Sequence, residues 1–200
     1  MKSIISITAI SFLLLTAAIP ANASTSLMLF TSTKNAEELK AKEEAKTVRH
    51  DKQEKMVKYM QTVNRDLDTK VAHKLADAML IQSAKHGIPV EIQLSIVRRE
   101  SRYDQFALGE LGELGFFQLM VKPHTGKVFK MLKAKEISTR NLYDPYTQAT
   151  VAMAVLNDCL SKKKRDMNKS LACYNGAIHP GEYSTAVLEK ANAIKKLLKS

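Results

Sequence analysis

The stretch ESRYDQFALGELGELGFFQLM, residues 100–120, runs from the end of a predicted helix into a loop that contains three glycines. On the helix side, Ile92, Ile96 and Glu100 are spaced four residues apart, so Glu100 continues the apolar face of that helix. Glycines allow tight backbone turns and let a ligand approach the main chain closely. The stretch therefore predicts a carboxyl group at a helix end, beside a groove that the loop shapes.

The surroundings of Glu100 decide its protonation state. Burial disfavours the charged form of a carboxyl group, which raises its pKa and leaves a proton available for donation near neutral pH. An ion pair with Arg98, Arg99 or Arg102 would instead keep the group ionised at a solvated helix end. The spacing of the residues fits both interpretations.

Apolar residues at helical spacing recur from residue 66 onward. They predict a helix from Val71 that stops at Gly87 and Pro89, because glycine and proline terminate helices. Further helices are predicted at about residues 91–101, 128–132, 146–160, 170–174 and 183–198. The sequence has no convincing alternating run of strand length, so the predicted fold class is mainly α.

The N-terminus has the pattern of a secretory signal peptide. Lys2 precedes an apolar run over residues 4–19, and Ala21-Asn22-Ala23 supplies the small residues of a cleavage site. A membrane anchor is the competing interpretation, but the run is short for a span. We expect cleavage near Ala23 and a periplasmic or secreted protein that meets the membrane only through this signal peptide.

The segment after the signal peptide is rich in charge. Residues 31–63 are dense in Lys and Glu and contain no Gly or Pro, and opposite charges one turn apart favour an exposed helix. The predicted organisation is a signal peptide over residues 1–23, a charged, helical arm or linker over residues 24–65, and a helical domain over residues 66–200.

The composition excludes several classes of protein. Hydrophobic residues make up 45% of the chain, enough for a packed core, so the chain is not wholly disordered. Two cysteines cannot supply a four-thiolate zinc site and the five histidines are scattered, so neither a metal nor another cofactor is expected. Because the chain has no Trp, no nucleic-acid partner is expected despite a net charge of +11.

Cys159 and Cys173 lie in neighbouring predicted helices. In the oxidising compartment that export implies, they either form a disulfide or remain two small buried thiols. The sequence leaves both possibilities open.

Four motifs resemble the catalytic domain of the soluble lytic transglycosylase family. Glu100-Ser101 followed by Gly112-x-x-Gly115-Phe116-Phe117-Gln118-Leu119-Met120 resembles its acid and loop signature. Residues 84–89 resemble the entry to its catalytic helix, and residues 141–145 and 171–176 resemble two of its downstream elements. The resemblance covers about residues 66–190.

The resemblance implies a lysozyme-like, helix-rich domain that cleaves the β-1,4 bond between N-acetylmuramic acid and N-acetylglucosamine in peptidoglycan. Glu100 matches the residue that acts first as general acid and then as general base, which leaves a 1,6-anhydromuramoyl product. The positions that match glycan-binding residues are Ser101, Gly115, Phe117, Gln118, Tyr174, Asn175 and Tyr183.

The chain also departs from the family pattern. Gly109 stands where the family often has a serine near the acid, Phe117 replaces the usual Met, and Cys173 replaces an Ala. The loop before Pro123 is longer by two residues. None of these changes removes the acid.

Two other functions fit the sequence. One is a hydrolytic muramidase in which Glu110, Glu113 or Asp104 positions a water molecule. The other is a wall-binding assembly factor of a secretion system that does not catalyse a reaction. In each case we expect a monomer that binds peptidoglycan glycan strands, with secretion or pilus assembly proteins as possible partners.

Overall fold

The computed structural model describes residues 21–120, 139–176 and 180–199. The helices in these ranges are α1 (Ala21–Val63), α2 (Thr69–His86), α3 (Val90–Glu100), α4 (Thr139–Leu142), α5 (Pro145–Lys162), α6 (Met167–Asn175) and α7 (Pro180–Lys199). The strand-like pairings in these ranges are two isolated antiparallel bridges, Leu108 with Leu114 and Leu114 with Leu119. The prediction of a mainly α fold is confirmed, while the helix predicted at residues 128–132 lies outside the described residues.

The helix boundaries follow from local chemistry. The side chain of Asp68 caps the start of α2 by accepting a hydrogen bond from the Val71 backbone N–H at 3.0 Å. Asp144 caps α5 in the same way, and Pro145 fits the first turn because that position needs no N–H. Helix α2 ends at Gly87, whose φ of +67° is the left-handed conformation that suits glycine. The predicted stop at Gly87 is confirmed.

The helices after residue 66 pack around one hydrophobic core. Helix α2 packs against α5, α3 packs against α7, and α6 contacts both α5 and α7. Fully buried side chains at these contacts include Leu75, Met79, Ile96, Met153 and Val187. Helices α3 and α7 are in direct contact, and the end of α3 lies close to the start of α7.

The chain divides into two compact units, residues 1–46 and residues 47–200. In the first unit the described side chains, from residue 37 on, are exposed, and Lys42 pairs with Glu38 at 2.7 Å. In the second unit, Met56 and Met60 near the end of α1 are fully buried. None of the described helices has a stretch long and apolar enough to cross a membrane.

The predicted start of the folded domain at residue 66 therefore differs from the structure, in which the compact unit starts at Thr47. Met56, Met60 and Val63 lie on one face of α1 at spacings of four and three residues, and all three pack on the core. The density of Lys and Glu earlier in the same helix concealed this apolar stripe. The last part of the predicted arm belongs to the core.

Candidate active site

Glu100 lies in the last turn of α3. The helix buries Ile92 and Ile96 on its apolar face, as the spacing predicts, and it ends when the Ser101 N–H bonds the Val97 carbonyl at 3.0 Å. Glu100 is partly buried. The helix end therefore holds a carboxyl group at the edge of the core, where a ligand can reach it.

The chain reverses direction directly after this turn. Arg102 and Tyr103 both have positive φ values, of 53° and 65°. Left-handed conformations cost non-glycine residues about 1–2 kcal/mol each, so other contacts have to hold them. Tyr103 is fully buried and donates a hydrogen bond from its hydroxyl to the Leu94 carbonyl at 2.7 Å, while Asn64 donates to the Tyr103 carbonyl at 2.9 Å.

A buried glutamine on α5 fixes the loop that follows. Gln148 accepts a hydrogen bond from the Phe117 N–H at 3.0 Å and donates to the carbonyls of Leu114 and Leu142. Gly115, with a φ of +70°, lies against this side chain, and a Cβ at that position would lie 2.7 Å from Gln148 Nε2. The close approach of loop and helix therefore requires glycine at position 115.

Glu100 and the loop line an open cavity of about 340 Å³. Its lining consists of Glu100, Gly109, Glu110, Glu113, Phe117, Gln118, Leu119, Met120, Val155, Tyr174 and Asn175. Its walls combine apolar and aromatic side chains with carboxyl and amide groups that can orient a polar ligand. The residues come from α3, the loop, α5 and α6, so the cavity lies where these elements meet.

The carboxyl group of Glu100 is bonded to a tyrosine on α7. The Tyr183 hydroxyl donates a hydrogen bond to Glu100 Oε1 at 2.5 Å, and Arg99 lies over the Tyr183 ring with its Cζ 5.2 Å from the centroid. Burial raises the pKa of Glu100 above its usual value. The Tyr183 hydrogen bond and the charge of Arg99 oppose that rise, and the negative charge of Glu113 adds to it.

The two tyrosines next to the acid remain protonated. Burial, together with the nearby Glu100 carboxylate, raises the pKa of Tyr174 and of Tyr183 above the usual value for a phenol. Both hydroxyls are therefore hydrogen-bond donors over the physiological pH range. Tyr174 directs its donor to the Phe117 carbonyl at 3.4 Å.

Two of the three arginines near Glu100, Arg98 and Arg99, have other contacts. Arg98 donates to the Tyr59 hydroxyl at 3.1 Å, and Arg99 lies on the Tyr183 ring. The surroundings of Glu100 in the described part of the chain thus match the buried-acid interpretation better than the ion-pair interpretation.

The structure brings most of the predicted site residues together. Phe117, Gln118, Tyr174 and Asn175 line the cavity with Glu100. Tyr183, which also matches a glycan-binding position of the family, donates a hydrogen bond to the acid.

Ser101 and Gly115, which were predicted to bind glycan, hold the loop in position instead. The Ser101 hydroxyl donates to the Phe116 carbonyl at 2.9 Å, and Gly115 packs on Gln148, so neither is among the residues that line the cavity. Both shape the wall by holding the loop against its neighbours.

Three residues that shape the site were not predicted from the sequence. Asn64 and Gln148 are polar residues whose hydrogen bonds cross between distant parts of the chain, and Val155 adds an apolar patch from α5. The signal in the sequence was a glutamine among the apolar residues of a predicted helix. Such a residue becomes buried with its neighbours, as Gln148 is, and its amide then needs hydrogen-bond partners.

A disulfide joins α5 to α6. Cys159 and Cys173 are bonded, with their Cα atoms 5.8 Å apart, which decides between the two possibilities that the sequence left open. Cys173 directly precedes Tyr174, so the bond anchors the part of α6 that lines the cavity. Within the described ranges no group of three or more His, Cys, Asp or Glu side chains could hold a metal ion.

The match to known families lies in this same region. A family model described as the Transglycosylase SLT domain matches residues 77–193, more than half of the chain. The chain belongs to the transglycosylase SLT domain family. The helix of Glu100, the loop, the cavity and Tyr183 all fall inside the matched residues.

A solved structure of a lytic transglycosylase has a similar fold. An inactive mutant of the lytic transglycosylase Slt from Pseudomonas aeruginosa matches with a TM-score of 0.56 and 18% identity, over 67% of this SLT chain and 26% of that protein. The 70 kDa soluble lytic transglycosylase from Escherichia coli matches with a TM-score of 0.48 and 19% identity, over 72% and 28% of the two chains. The chain thus spans about a quarter of the length of these proteins, and no curated protein matches it.

Proposed function

We propose that this chain is an exported lytic transglycosylase. It cleaves the β-1,4 bond between N-acetylmuramic acid and N-acetylglucosamine in peptidoglycan and leaves a 1,6-anhydromuramoyl end. The observation that carries the proposal is the position of Glu100. It is partly buried with a raised pKa, bonded to Tyr183, and it lines one cavity with Gln118, Tyr174 and Asn175.

In the proposed first step, Glu100 donates its proton to the glycosidic oxygen while the bond from that oxygen to the anomeric carbon breaks. The raised pKa favours the protonated form of the carboxyl group, which is the form that can donate. The acetamido oxygen of the muramoyl residue bonds the anomeric carbon from the opposite face of the sugar as the glycosidic bond breaks. The Tyr183 hydroxyl, which already bonds Oε1, stabilises the carboxylate that forms.

In the second step the Glu100 carboxylate takes the proton from the C6 hydroxyl of the same sugar. The C6 oxygen then bonds the anomeric carbon as the bond from the acetamido oxygen to that carbon breaks, which closes the anhydro ring, and the proton taken from the C6 hydroxyl returns Glu100 to its acid form. No water enters the product, and one carboxyl group performs both proton transfers. A site with a single buried acid next to a fixed donor suits this sequence of events.

The other cavity residues would hold the glycan. Gln118 uses its amide nitrogen for the carbonyls of Ala107 and Gly115, at 3.2 and 3.0 Å, so its amide oxygen is the atom suited to accept from a sugar hydroxyl. Phe117 offers an apolar wall, and Asn175 offers both a donor and an acceptor.

Export is the part of the proposal that the disulfide supports, because disulfides persist in oxidising compartments outside the cytoplasm. Cleavage after Ala23 would leave Ser24 as the first residue. N-terminal sequencing of the chain recovered from the periplasm or the medium tests this, and a chain that still begins at Met1 would contradict it.

The test of the activity is the mass of muropeptides released from purified sacculi. We expect anhydromuramoyl products, one water lighter than hydrolysis products, and no release by Glu100→Gln. Glu189→Gln is the matched control because it makes the same chemical change at an exposed position on α7, and it retains activity.

Two results would contradict the proposal. Hydrolysed products would make the chain a muramidase. Unchanged binding to sacculi, without release of product by the wild-type chain or by Glu100→Gln, would favour a wall-binding assembly factor.

A further inference from the structure

A second carboxyl group shares the cavity with Glu100. Glu113 is half-buried in the loop and lines the same cavity. Its Oε2 accepts a hydrogen bond from the Leu111 N–H at 3.0 Å, which fixes the direction of the carboxylate. The proposed reaction, as derived from Glu100 alone, gives this group no role.

The carboxylate of Glu113 occupies the space beside Gly109. A Cβ built on Gly109 would overlap Glu113 Oε2 and would lie 2.8 Å from Gln118 Oε1. A side chain at position 109 therefore cannot coexist with the present position of Glu113. Position 109 is one of the departures from the family pattern, and its lack of a side chain leaves this space to the Glu113 carboxylate.

We propose that Glu113 is a second acidic residue of the active site, whose carboxylate stabilises the positive charge that develops on the muramoyl ring as the glycosidic bond breaks. The inference rests on the proposed function. Cleavage of a glycosidic bond passes through a transition state that resembles an oxocarbenium ion, so a fixed carboxylate in the cavity favours it.

No bond forms to Glu113 in this scheme. One proton still passes from Glu100 to the leaving oxygen and stays there, and a second proton passes from the C6 hydroxyl to Glu100. Glu113 contributes its charge and its fixed direction alone.

The electrostatics around the acid agree with this role. The negative charge of Glu113 is close enough to raise the pKa of Glu100, in the same direction as burial. Removing that charge should let Glu100 ionise at lower pH. A serine at position 109 would exert no such effect, because a hydroxyl carries no charge.

The principal variant is Glu113→Gln, measured on soluble, uncross-linked glycan strands. Glutamine keeps the size of the side chain and can still accept from the Leu111 N–H, so the fold should be retained. We expect kcat to fall about tenfold with little change in KM, because the lost charge acts in the transition state. The basic limb of the kcat/KM profile should move to lower pH, and Glu189→Gln should change neither quantity.

A second variant tests the geometry from the other side. Gly109→Ser leaves Glu113 in the sequence but displaces its carboxylate from the cavity. We expect the same direction of change in kcat and in the pH profile. Adding Glu113→Ala to Gly109→Ser should cause little further loss, because the carboxylate has already moved. Thermal unfolding midpoints near that of the wild type verify that both single variants fold.

Each outcome has one meaning. If Glu100→Gln is inactive while Glu113→Gln matches the wild type in kcat and pH profile, the role of Glu113 is overturned and the proposed function stands. A wild-type hydrolysis product that becomes an anhydro product in Glu113→Gln assigns Glu113 to a water molecule and overturns both proposals. A wild-type chain that releases no product overturns the proposed function first, and the role of Glu113 with it.

Discussion

At the scale of single residues, the chemistry centres on the bond between Glu100 and Tyr183. The i+4 spacing of Ile92, Ile96 and Glu100 predicted that the acid continues an apolar face, and burial of that face is what raises its pKa. The partner could not be derived from spacing, because Tyr183 is 83 residues away and belongs to another helix. Only the family resemblance pointed to that tyrosine.

Replacing Tyr183 with Phe removes the hydroxyl that stabilises the Glu100 carboxylate. Since this hydrogen bond lowers the pKa of Glu100, its loss should raise that pKa and move the basic limb of kcat/KM to higher pH. We also expect kcat to fall about tenfold, because a hydrogen bond to a charged group contributes roughly 1.5–3 kcal/mol. A pH profile of the variant on soluble glycan strands measures both effects.

The direction in which the basic limb of kcat/KM moves distinguishes the roles of the two residues. Tyr183→Phe and Glu113→Gln should displace the same limb in opposite directions. A Tyr183→Phe limb that stays in place or moves to lower pH would show that the hydroxyl does not control the ionisation of Glu100.

At the scale of elements, the loop between α3 and α4 depends on close contact with α5. Sequence analysis predicted a groove from the glycines but could not tell which glycine touches a neighbour. The structure separates them: Gly115 has Gln148 against it, whereas nothing lies within 4 Å of a Cβ on Gly112. Both have positive φ values, of 70° and 88°.

Gly115→Ala and Gly112→Ala form a matched pair that separates backbone strain from steric overlap. Both changes place a side chain at positive φ, which costs about 1 kcal/mol. Only Gly115→Ala also displaces the buried amide of Gln148, so we expect it to lower the free energy of unfolding by about 2 kcal/mol more. Chemical denaturation measures the difference, and equal losses in the two variants would contradict a structural role for Gln148.

The disulfide is the covalent link between α5 and α6. The two cysteines are 14 positions apart in the sequence, and a crosslink that closes a loop of this length stabilises by about 3 kcal/mol through the unfolded chain. The double variant Cys159→Ala with Cys173→Ala should lose about that much in urea denaturation. Reductant should lower the wild type to the same level and leave the double variant unchanged, whereas an effect of reductant on both would point to another cause.

At the scale of the whole molecule, α1 is the element that the sequence described least well. Composition indicated a solvated arm, which matches the exposed side chains of residues 37–46. It missed that the end of the same helix supplies Met56 and Met60 to the core and that Asn64 supports the turn after the acid. The average composition of a charged segment does not reveal a short apolar stripe within it. A hydrogen bond between residues 64 and 103 cannot be predicted from sequence spacing, because the two residues are far apart in the chain.

Met60→Ala in the full chain should lower the free energy of unfolding by about 3 kcal/mol, because it leaves a cavity in the core. Leu39→Ala is the control on the same helix, since Leu39 is 71% exposed and its loss should change stability by less than about 0.5 kcal/mol. A small effect at both positions would mean that the end of α1 does not belong to the folded unit.

Charge acts on the whole molecule at longer range. The proposed cleavage after Ala23 would remove Lys2 and change the net charge from +11 to +10, so we expect the cleaved chain to be attracted to the carboxylates of wall peptides. We expect salt to reduce activity on intact sacculi more steeply than activity on short soluble glycans. An equal dependence on salt for the two substrates would exclude electrostatic recruitment.

The paired left-handed residues Arg102 and Tyr103 have a consequence for the size of substrate that the site can accept. They end α3 directly after Glu100, so the Glu100 carboxyl group lies at the C-terminal end of the helix and not along its side. A polysaccharide many times longer than the protein cannot thread into an enclosed chamber, but it can lie across a surface trough. We therefore expect the left-handed backbone at these two positions to leave the Glu100 carboxyl group where a long glycan strand can reach it from the side.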